Sequence, residues 1–175
     1  MAPLFFLLLL LLTPAHAQSA CNGVAGQCVV QDLATATDAA ATASGSVLPV
    51  PKGTRISSSY GWRIHPISGK KKFHTGTDFA LSRGSNVLSP GDGTVTYAAW
   101  NGGYGRFLEV TLADGTVISY AHLLDYNSLK VGSKVKAGGV VGHVNSSGSS
   151  TGDHLHLEVH DKDGTRQDPA KWFDY

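Results

Sequence analysis

The chain contains little cysteine and few charged residues. Cys21 and Cys28 are its only cysteines, and charged residues make up 15% of the 175 positions. The thiol-rich ligand sets of most structural zinc sites are therefore absent. The formal net charge is +1, which argues against a nucleic-acid partner, because binding to phosphates needs a clear excess of lysine and arginine.

Long apolar runs are also scarce. The unbroken run Leu4–Leu12 is too short for a bilayer, which needs roughly 20 apolar residues. An A-x-A site at Ala15–Ala17 follows it, and this order predicts a cleaved secretory signal peptide over residues 1–17. No lysine or arginine precedes the run, so an uncleaved anchor is the alternative. We expect an exported protein, periplasmic or secreted, without a transmembrane segment after cleavage.

The two cysteines lie just after the predicted cleavage site. Export favours a disulfide between Cys21 and Cys28. Lipid modification of Cys21 is the rival, although Gln18-Ser19-Ala20 lacks the apolar residue that is usual three places before such a cysteine.

A change of composition marks the start of the folded part. Residues 33–48 are rich in alanine, threonine and serine and poor in aromatics, and Pro49 and Pro51 follow them. We therefore predict an N-terminal segment and spacer over residues 18–50 and a single domain over residues 51–175. All 14 lysines and arginines lie from Lys52 onward, against 11 of the 13 acidic residues. This mild basic excess suits an anionic polymer such as cell wall, or simply solubility.

Sustained helical periodicity is missing from that domain. Eighteen of the 21 glycines lie between Gly53 and Gly164, where short apolar or alternating runs are separated by Gly, Asp and Ser. The run RFLEVTLADGTVISYAHL predicts a hairpin that turns at Asp114-Gly115. The pattern indicates a mostly β protein, with one small antiparallel sheet.

Three of the eight histidines occupy alternate positions in the segment DHLHLEVH, residues 153–160. In a strand, His154, His156, Glu158 and His160 would share one face, and the three aliphatic residues between them would share the other. A half-buried strand with a solvated polar face is one interpretation. A metal or catalytic site is the other, because imidazole is the commonest metal ligand and titrates near neutral pH.

Two further segments add candidates. His74 and Asp78 are four residues apart around Gly76, which predicts a turn rather than a helix, and His122 ends the predicted hairpin at a sheet margin. Two histidines and one carboxylate would leave a fourth zinc position for water, which distinguishes a catalytic zinc site from a structural one. The pattern favours an exported zinc hydrolase.

The chain contains the motifs FHTGTDFA, SYAHL and GSSTGDHLHLEV. With these motifs it resembles the lysostaphin/LytM-type zinc metallopeptidases. The intervening stretches SSSYGWRIHP, SPGDGTVTYAAWNGGYG and KVGSKVKAGGVVG match as well. The resemblance extends from about Thr54 to Asp168, and the order and spacing of the motifs make it specific.

The resemblance implies one Zn²⁺ per chain, bound by His74, Asp78 and His156. It implies that His122 and His154 lie beside the metal as catalytic, non-ligand histidines. The implied fold is a small antiparallel sheet with a substrate groove, and the implied substrates are peptide cross-links or bridges of bacterial peptidoglycan. Some relatives of this type lack ligands and act as activator or binding modules. Because all five positions are filled here, an active enzyme is expected.

The sequence allows two interpretations each for Glu158 and Tyr104. Glu158 is expected either to orient a zinc ligand or to pair with lysines, and Tyr104 either to border the groove or to anchor a turn. The remaining histidines are expected to have structural or surface roles: His65, His143 and His160. The tryptophans are expected to be packing residues: Trp62, Trp100 and Trp172.

The sequence leaves other functions open. An exported protease acting on glycine-rich proteins is an alternative to a wall enzyme. The bond cleaved is undetermined among a D-alanyl–diaminopimelate cross-link, a glycine bridge and a stem peptide. The sequence shows no separate wall-binding domain, so a partner protein that positions the enzyme is one expectation.

Overall fold

The computed structural model describes residues 47–65, 67–173 and 175. The predicted signal peptide, the two cysteines and most of the predicted spacer lie outside these residues. Val47–Val50 are described, and they contact the domain: the Val47 amide donates to the Pro90 carbonyl at 3.0 Å, and Val50 is 1% exposed.

The described residues form twelve short strands and one helical turn of α type. The strands are β1 (Ile56–Ser58), β2 (Gly61–Ile64), β3 (Lys71–His74), β4 (Thr77–Ala80), β5 (Asn86–Leu88), β6 (Gly93–Trp100), β7 (Arg106–Leu112), β8 (Val117–Ala121), β9 (Lys134–Val135), β10 (Val140–His143), β11 (His154–His160) and β12 (Arg166–Gln167). The helix α1 (Pro169–Trp172) begins with the Asp168 side chain capping the Ala170 amide at 3.0 Å. Among the described residues, no helix has the length and apolar character needed to cross a membrane.

One eight-stranded antiparallel sheet forms the body of the domain. Its strand order is β1-β4-β11-β8-β7-β6-β9, with β12 paired to β11. The predicted hairpin is confirmed, because β7 and β8 pair across the Asp114-Gly115 turn with Thr111 opposite Val117. The prediction of a mostly β domain with an antiparallel sheet is confirmed.

The two faces of the sheet follow the alternation of the sequence. On β11, Leu155, Leu157 and Val159 are fully buried in the core. The neighbouring strand β8 adds Ile118 and Tyr120 to the same core. Burying one large apolar side chain contributes roughly 1.5–3 kcal/mol, so these residues hold the register of β11. The opposite face of β11 is thereby left to its histidines and Glu158.

A separate hairpin, β2–β3, stands beside that polar face. Trp62 pairs with Phe73 and Arg63 with Lys72, so the two pairs point to opposite sides of the hairpin. Trp62 is 68% exposed, and Trp100 at the end of β6 is 58% exposed. The prediction that these two tryptophans are packing residues is therefore wrong as far as the core is concerned, although the Trp62 ring contacts that of Phe73 at 5.5 Å on the surface. Trp172 does pack against the core.

Candidate metal centre and groove

Three buried side chains converge where β3, β4 and β11 meet. His74 is the last residue of β3, and Asp78 and His156 are direct partners across the β4–β11 pair. The exposed fractions of the three are 7%, 8% and 4%. A carboxylate and two imidazoles in such a dry environment need compensating partners.

The outer partners of the two imidazoles determine which ring nitrogen carries hydrogen. His74 Nδ1 lies 2.9 Å from the Ser59 carbonyl oxygen, and His156 Nε2 lies 3.1 Å from Glu158 Oε1. A carbonyl or ionised carboxylate only accepts hydrogen bonds, so both of these nitrogens donate. His74 Nε2 and His156 Nδ1 are then left with free lone pairs directed at Asp78.

The three inward atoms are spaced as ligands of one metal ion. Asp78 Oδ1 lies 2.8 Å from His156 Nδ1 and 3.2 Å from His74 Nε2, and the two nitrogens are 3.1 Å apart. Tetrahedral zinc with bonds of about 2.0–2.1 Å separates its ligands by roughly 3.3 Å. Three acceptors that face one another need a cation between them, which is either a proton on one imidazole or a metal ion. The donor set therefore fits a metal, and its N and O atoms suit zinc.

The ionisation states of the two carboxylates at the site, Asp78 and Glu158, also suit a bound cation. Burial would raise the pKa of Asp78, but its close contacts with His156 and His74 hold it far below its usual value, as a cation beside the carboxylate does. Burial would likewise raise the pKa of Glu158, but the hydrogen bond from His156 Nε2, together with those from Thr75 and Tyr104, holds it at about 2. Both carboxylates are thus ionised at neutral pH.

A second pair of histidines borders the cluster. His122 follows the end of β8 in a left-handed conformation, with φ of 60°, and its Nδ1 lies 2.7 Å from the Ser147 carbonyl oxygen. His154 Nδ1 lies 2.8 Å from the Gly152 carbonyl oxygen. The two rings are 4.7 Å apart, and His154 Nε2 is 3.7 Å from Asp78 Oδ1.

This pair is arranged to exchange protons in the groove. Because Nδ1 of each ring donates to a carbonyl, Nε2 of each ring is left as an acceptor. Burial lowers the pKa of His122 to about 4, so this ring is neutral at pH 7. The structure thus brings together all five predicted site residues.

The groove itself has a volume of about 460 Å³ and runs past the cluster. The β2–β3 hairpin contributes one wall, and Gly103, Tyr104 and Ser149–Thr151 contribute to the other. Tyr104 borders the groove rather than only anchoring a turn, since its ring lies 5.6 Å from that of His156 and its hydroxyl donates to Glu158 Oε1 at 2.8 Å.

Gly76 allows the close approach of β4 to β11. A Cβ at this position would collide with the Leu157 carbonyl oxygen and lie 2.9 Å from His156 Nε2. Both neighbours belong to the strand that holds the cluster, so neither can move without displacing His156.

We expect Gly76→Ala to destabilise the fold by about 1–3 kcal/mol, the usual cost of overpacking, and to weaken zinc binding. Thermal unfolding and a zinc titration measure the two effects. Gly91→Ala is the matched control, because its Cβ would meet only ordinary contacts of 3.6 Å with Leu112. Equal stability and equal zinc affinity of the two variants would contradict the role of Gly76 in the close approach of β4 to β11.

The other histidines lie outside the cluster. His143 pairs with Asp125 through Nδ1 at 2.8 Å, and His65 Nδ1 accepts from the Ser68 amide at 3.2 Å in the β2–β3 turn. His65 also reaches the groove wall. His160 Nε2 is 3.4 Å from Glu158 Oε2, so it is half-buried against that carboxylate rather than a free surface residue.

Sequence reasoning missed the backbone groups that orient the rings. The carbonyls of Ser59, Ser147 and Gly152 each hold one imidazole, and no residue type marks them. It also left the partner of Glu158 open. The structure pairs this carboxylate with five side chains and with no lysine among the described residues; the five are His156, Thr75, Tyr104, Arg166 and His160.

Comparison with known proteins identifies the family of the chain. The model of peptidase family M23 matches residues 72–169, more than half of the chain. The DD-carboxypeptidase/endopeptidase Mpg of Neisseria meningitidis is 42% identical over 106 residues, covering 61% of this chain and 24% of Mpg. The glycyl-glycine endopeptidase ALE-1 of Staphylococcus capitis is 35% identical over 102 residues, covering 57% of this chain and 28% of ALE-1. The chain thus spans about a quarter of the length of these curated relatives.

Among solved structures, the catalytic domain of the antimicrobial peptidase lysostaphin from Staphylococcus simulans superposes with a TM-score of 0.61 at 32% identity. The match covers 68% of this chain and 91% of that domain, so nearly the whole lysostaphin domain has its counterpart here. The chain therefore belongs to peptidase family M23 and has the lysostaphin-like fold.

Proposed function

We propose that this protein is an exported zinc metalloendopeptidase that hydrolyses peptide cross-links or bridges of bacterial peptidoglycan. The observation that carries the proposal is the pairing of two histidines, each with a free Nε2, beside a buried His-Asp-His cluster. The relatives that it matches include a DD-carboxypeptidase/endopeptidase and a glycyl-glycine endopeptidase, which supports a wall peptide as the substrate class.

His74, Asp78 and His156 would hold the zinc ion. When bound, zinc polarises a carbonyl oxygen as a Lewis acid and brings the ionisation of water close to neutral pH. The chain's own residues would supply the proton transfers. The Nε2 atoms of His122 and His154 accept a proton from the attacking water, and the same atoms return one to the leaving amine. Once protonated, either ring also stabilises the negative charge that develops on the carbonyl oxygen.

A non-catalytic activator module is the weaker alternative. Such a module would not need two oriented proton acceptors, and here both rings are held by backbone carbonyls at 2.7 and 2.8 Å. An exported protease acting on glycine-rich proteins uses the same chemistry and differs only in substrate.

The first experiment measures release of new amino groups from purified peptidoglycan by the protein lacking residues 1–17. We expect release that a zinc chelator stops and added zinc restores. A glycine-rich protein substrate is run in parallel, and mass spectrometry of the wall products identifies the bond. Cleavage of the protein substrate alone would favour the rival protease, and no cleavage by the folded, zinc-loaded protein would favour the activator.

Glu158 is proposed as a positioning residue for His156. Its side chain is 2% exposed, and Oε1 accepts from Thr75 at 2.5 Å and from Tyr104 at 2.8 Å in addition to His156 Nε2 at 3.1 Å. A carboxylate that accepts from the outer nitrogen of a ligand histidine sets its tautomer and orientation and raises its basicity as a ligand. Glu158 thus acts on the metal through His156.

We expect Glu158→Gln to lower zinc affinity about 10–100-fold, the usual loss when such an outer partner is removed. Competition with a chromogenic chelator measures the affinity independently of turnover. Glu109→Gln is the control, because Glu109 is a part-buried carboxylate on β7 that accepts from Ser119 at 3.2 Å and contacts none of the five site residues. Unchanged affinity in Glu158→Gln would refute the role.

A further inference from the structure

Two cations face the groove from the β2–β3 hairpin. In its register Arg63 lies opposite Lys72 and Gly61 opposite His74, so the side chains of Arg63, Lys72 and His74 project from the same side. His74 belongs to the metal cluster, and both cations line the groove beside it. Lys71, the neighbour of Lys72, projects from the other side and lies over the Trp62 ring at 5.5 Å.

Within the described part of the chain, neither Arg63 nor Lys72 donates a hydrogen bond from its side chain. Arg63 Nη2 lies 3.6 Å from Asp78 Oδ2, which is an ion-pair distance but beyond hydrogen-bond length. The Arg63 side chain is 26% exposed, and Lys72 is exposed. Five guanidinium donors and three ammonium donors are therefore directed at the groove.

Within the described lining of the groove, the one carboxylate near these donors belongs to Asp78, whose Oδ2 forms an ion pair with Arg63 at 3.6 Å and leaves no other acid in the lining for Lys72. Among its described lining residues Asp78 is the only acid, and Asp78 Oδ1 already faces His74 and His156. The opposite wall is formed by neutral groups, such as Tyr104 and Ser149–Thr151. The negative partner that this wall fits must therefore come from the ligand.

The position of Arg63 places its side chain near the bond that would be hydrolysed. Arg63 Nη2 is 3.6 Å from an oxygen of a metal-cluster residue, and consecutive residues of a peptide are about 3.8 Å apart. A peptide carbonyl held at the cluster thus places the substituents of the adjoining residue within reach of Arg63. Arginine binds a carboxylate through two parallel hydrogen bonds, and Lys72 adds a second positive charge.

We infer that Arg63 and Lys72 form a carboxylate-binding subsite, which selects peptides carrying an ionised carboxylate on the residue next to the scissile bond. This inference rests on the proposed peptidase function and narrows its substrate. The D-alanyl–diaminopimelate bond carries such a carboxylate on the carbon attached to the amide nitrogen, whereas a glycine bridge carries none. The subsite therefore favours the first bond over the second.

The test uses two synthetic cross-linked peptides that differ only in that carboxylate, free in one and amidated in the other. For the zinc-loaded wild type, kcat/KM should be about 10–100-fold higher on the free acid, the range expected for charge-assisted hydrogen bonds. Arg63→Gln should lose most of this preference and Lys72→Gln part of it, each by slowing the free acid while leaving the amide within about twofold. Lys71→Gln, on the outer face of the same strand, and Arg83→Gln, on an exposed loop, should keep the wild-type preference.

A binding measurement separates failure of the subsite from failure of the proposed function. Kd for both peptides is measured on zinc-loaded His122→Ala, which retains the three cluster residues. If the wild type cleaves neither peptide but the free acid still binds tighter through Arg63, the subsite stands and the enzymatic proposal fails. Equal cleavage and equal Kd for the two peptides would overturn the subsite. So would an equal loss on both in Arg63→Gln, since Arg63 would then only position Asp78.

Discussion

His156→Ala should reduce peptidoglycan cleavage to the level seen without enzyme, and bound zinc should fall well below one ion per chain. The reason is geometric: His156 Nδ1 is one of three inward atoms, 2.8 Å from Asp78 Oδ1 and 3.1 Å from His74 Nε2. Two remaining donors do not make the three-ligand set of a catalytic zinc site. Metal analysis after dialysis and the release of amino groups from purified wall measure the two effects.

The control for this variant is His143→Ala. His143 pairs with Asp125 at the end of β10 and contacts none of the five site residues, so its zinc content and activity should stay near wild type. Circular dichroism and thermal unfolding establish that both variants are folded. A folded His156→Ala protein that keeps one zinc and normal turnover would disprove the ligand assignment.

The second large effect concerns His122. We expect His122→Ala to lower kcat by about 10²–10⁴-fold, the usual contribution of a general acid–base group, with one zinc still bound. The loss follows from chemistry rather than from metal binding, since His122 Nδ1 is held by the Ser147 carbonyl at 2.7 Å and its Nε2 is the proton acceptor. Steady-state kinetics on one defined cross-linked peptide, together with metal analysis, separates the two.

His143→Ala again serves as the matched histidine substitution, and it should retain activity within about twofold. The result for His122 would also distinguish a proton-transfer role from a packing role. A His122→Ala enzyme that is folded, carries zinc and turns over at a near-normal rate would refute the proposed mechanism, and His154 alone would then carry the proton transfers.

The strand containing His154 and His156 was predictable because its alternation has one physical solution. With Leu155, Leu157 and Val159 in the apolar core, a slip of one residue would turn the histidines into that core and the leucines toward the polar groove face. The hairpin at Asp114-Gly115 was predictable for a similar reason, since this dipeptide favours the turn and alternating residues flank it. Both predictions rest on interactions between residues close in sequence.

The tryptophan predictions failed where the partner surface is distant in sequence. Trp62 and Trp100 are large apolar residues that usually pack inside, but Trp62 lies on the outer face of a two-stranded hairpin. The local sequence pattern does not reveal that this face of the hairpin is exposed to solvent. The sequence did not single out Arg63 for the same reason, because its position in the groove depends on the register of β2 with β3.

The sequence by itself determined a β domain and the alternation that places His154, His156 and Glu158 on one face. The set of candidate site residues came from the resemblance of its motifs to a known family. The chemistry of that set was decided by contacts that only folding creates. Asp78 and His156 meet across 78 positions of sequence, and the carbonyls of Ser59, Ser147 and Gly152 determine which nitrogen of each ring is free. Side-chain pattern is local and is written in the residue types. Backbone carbonyls are the same in every residue, so their role emerges only from tertiary structure.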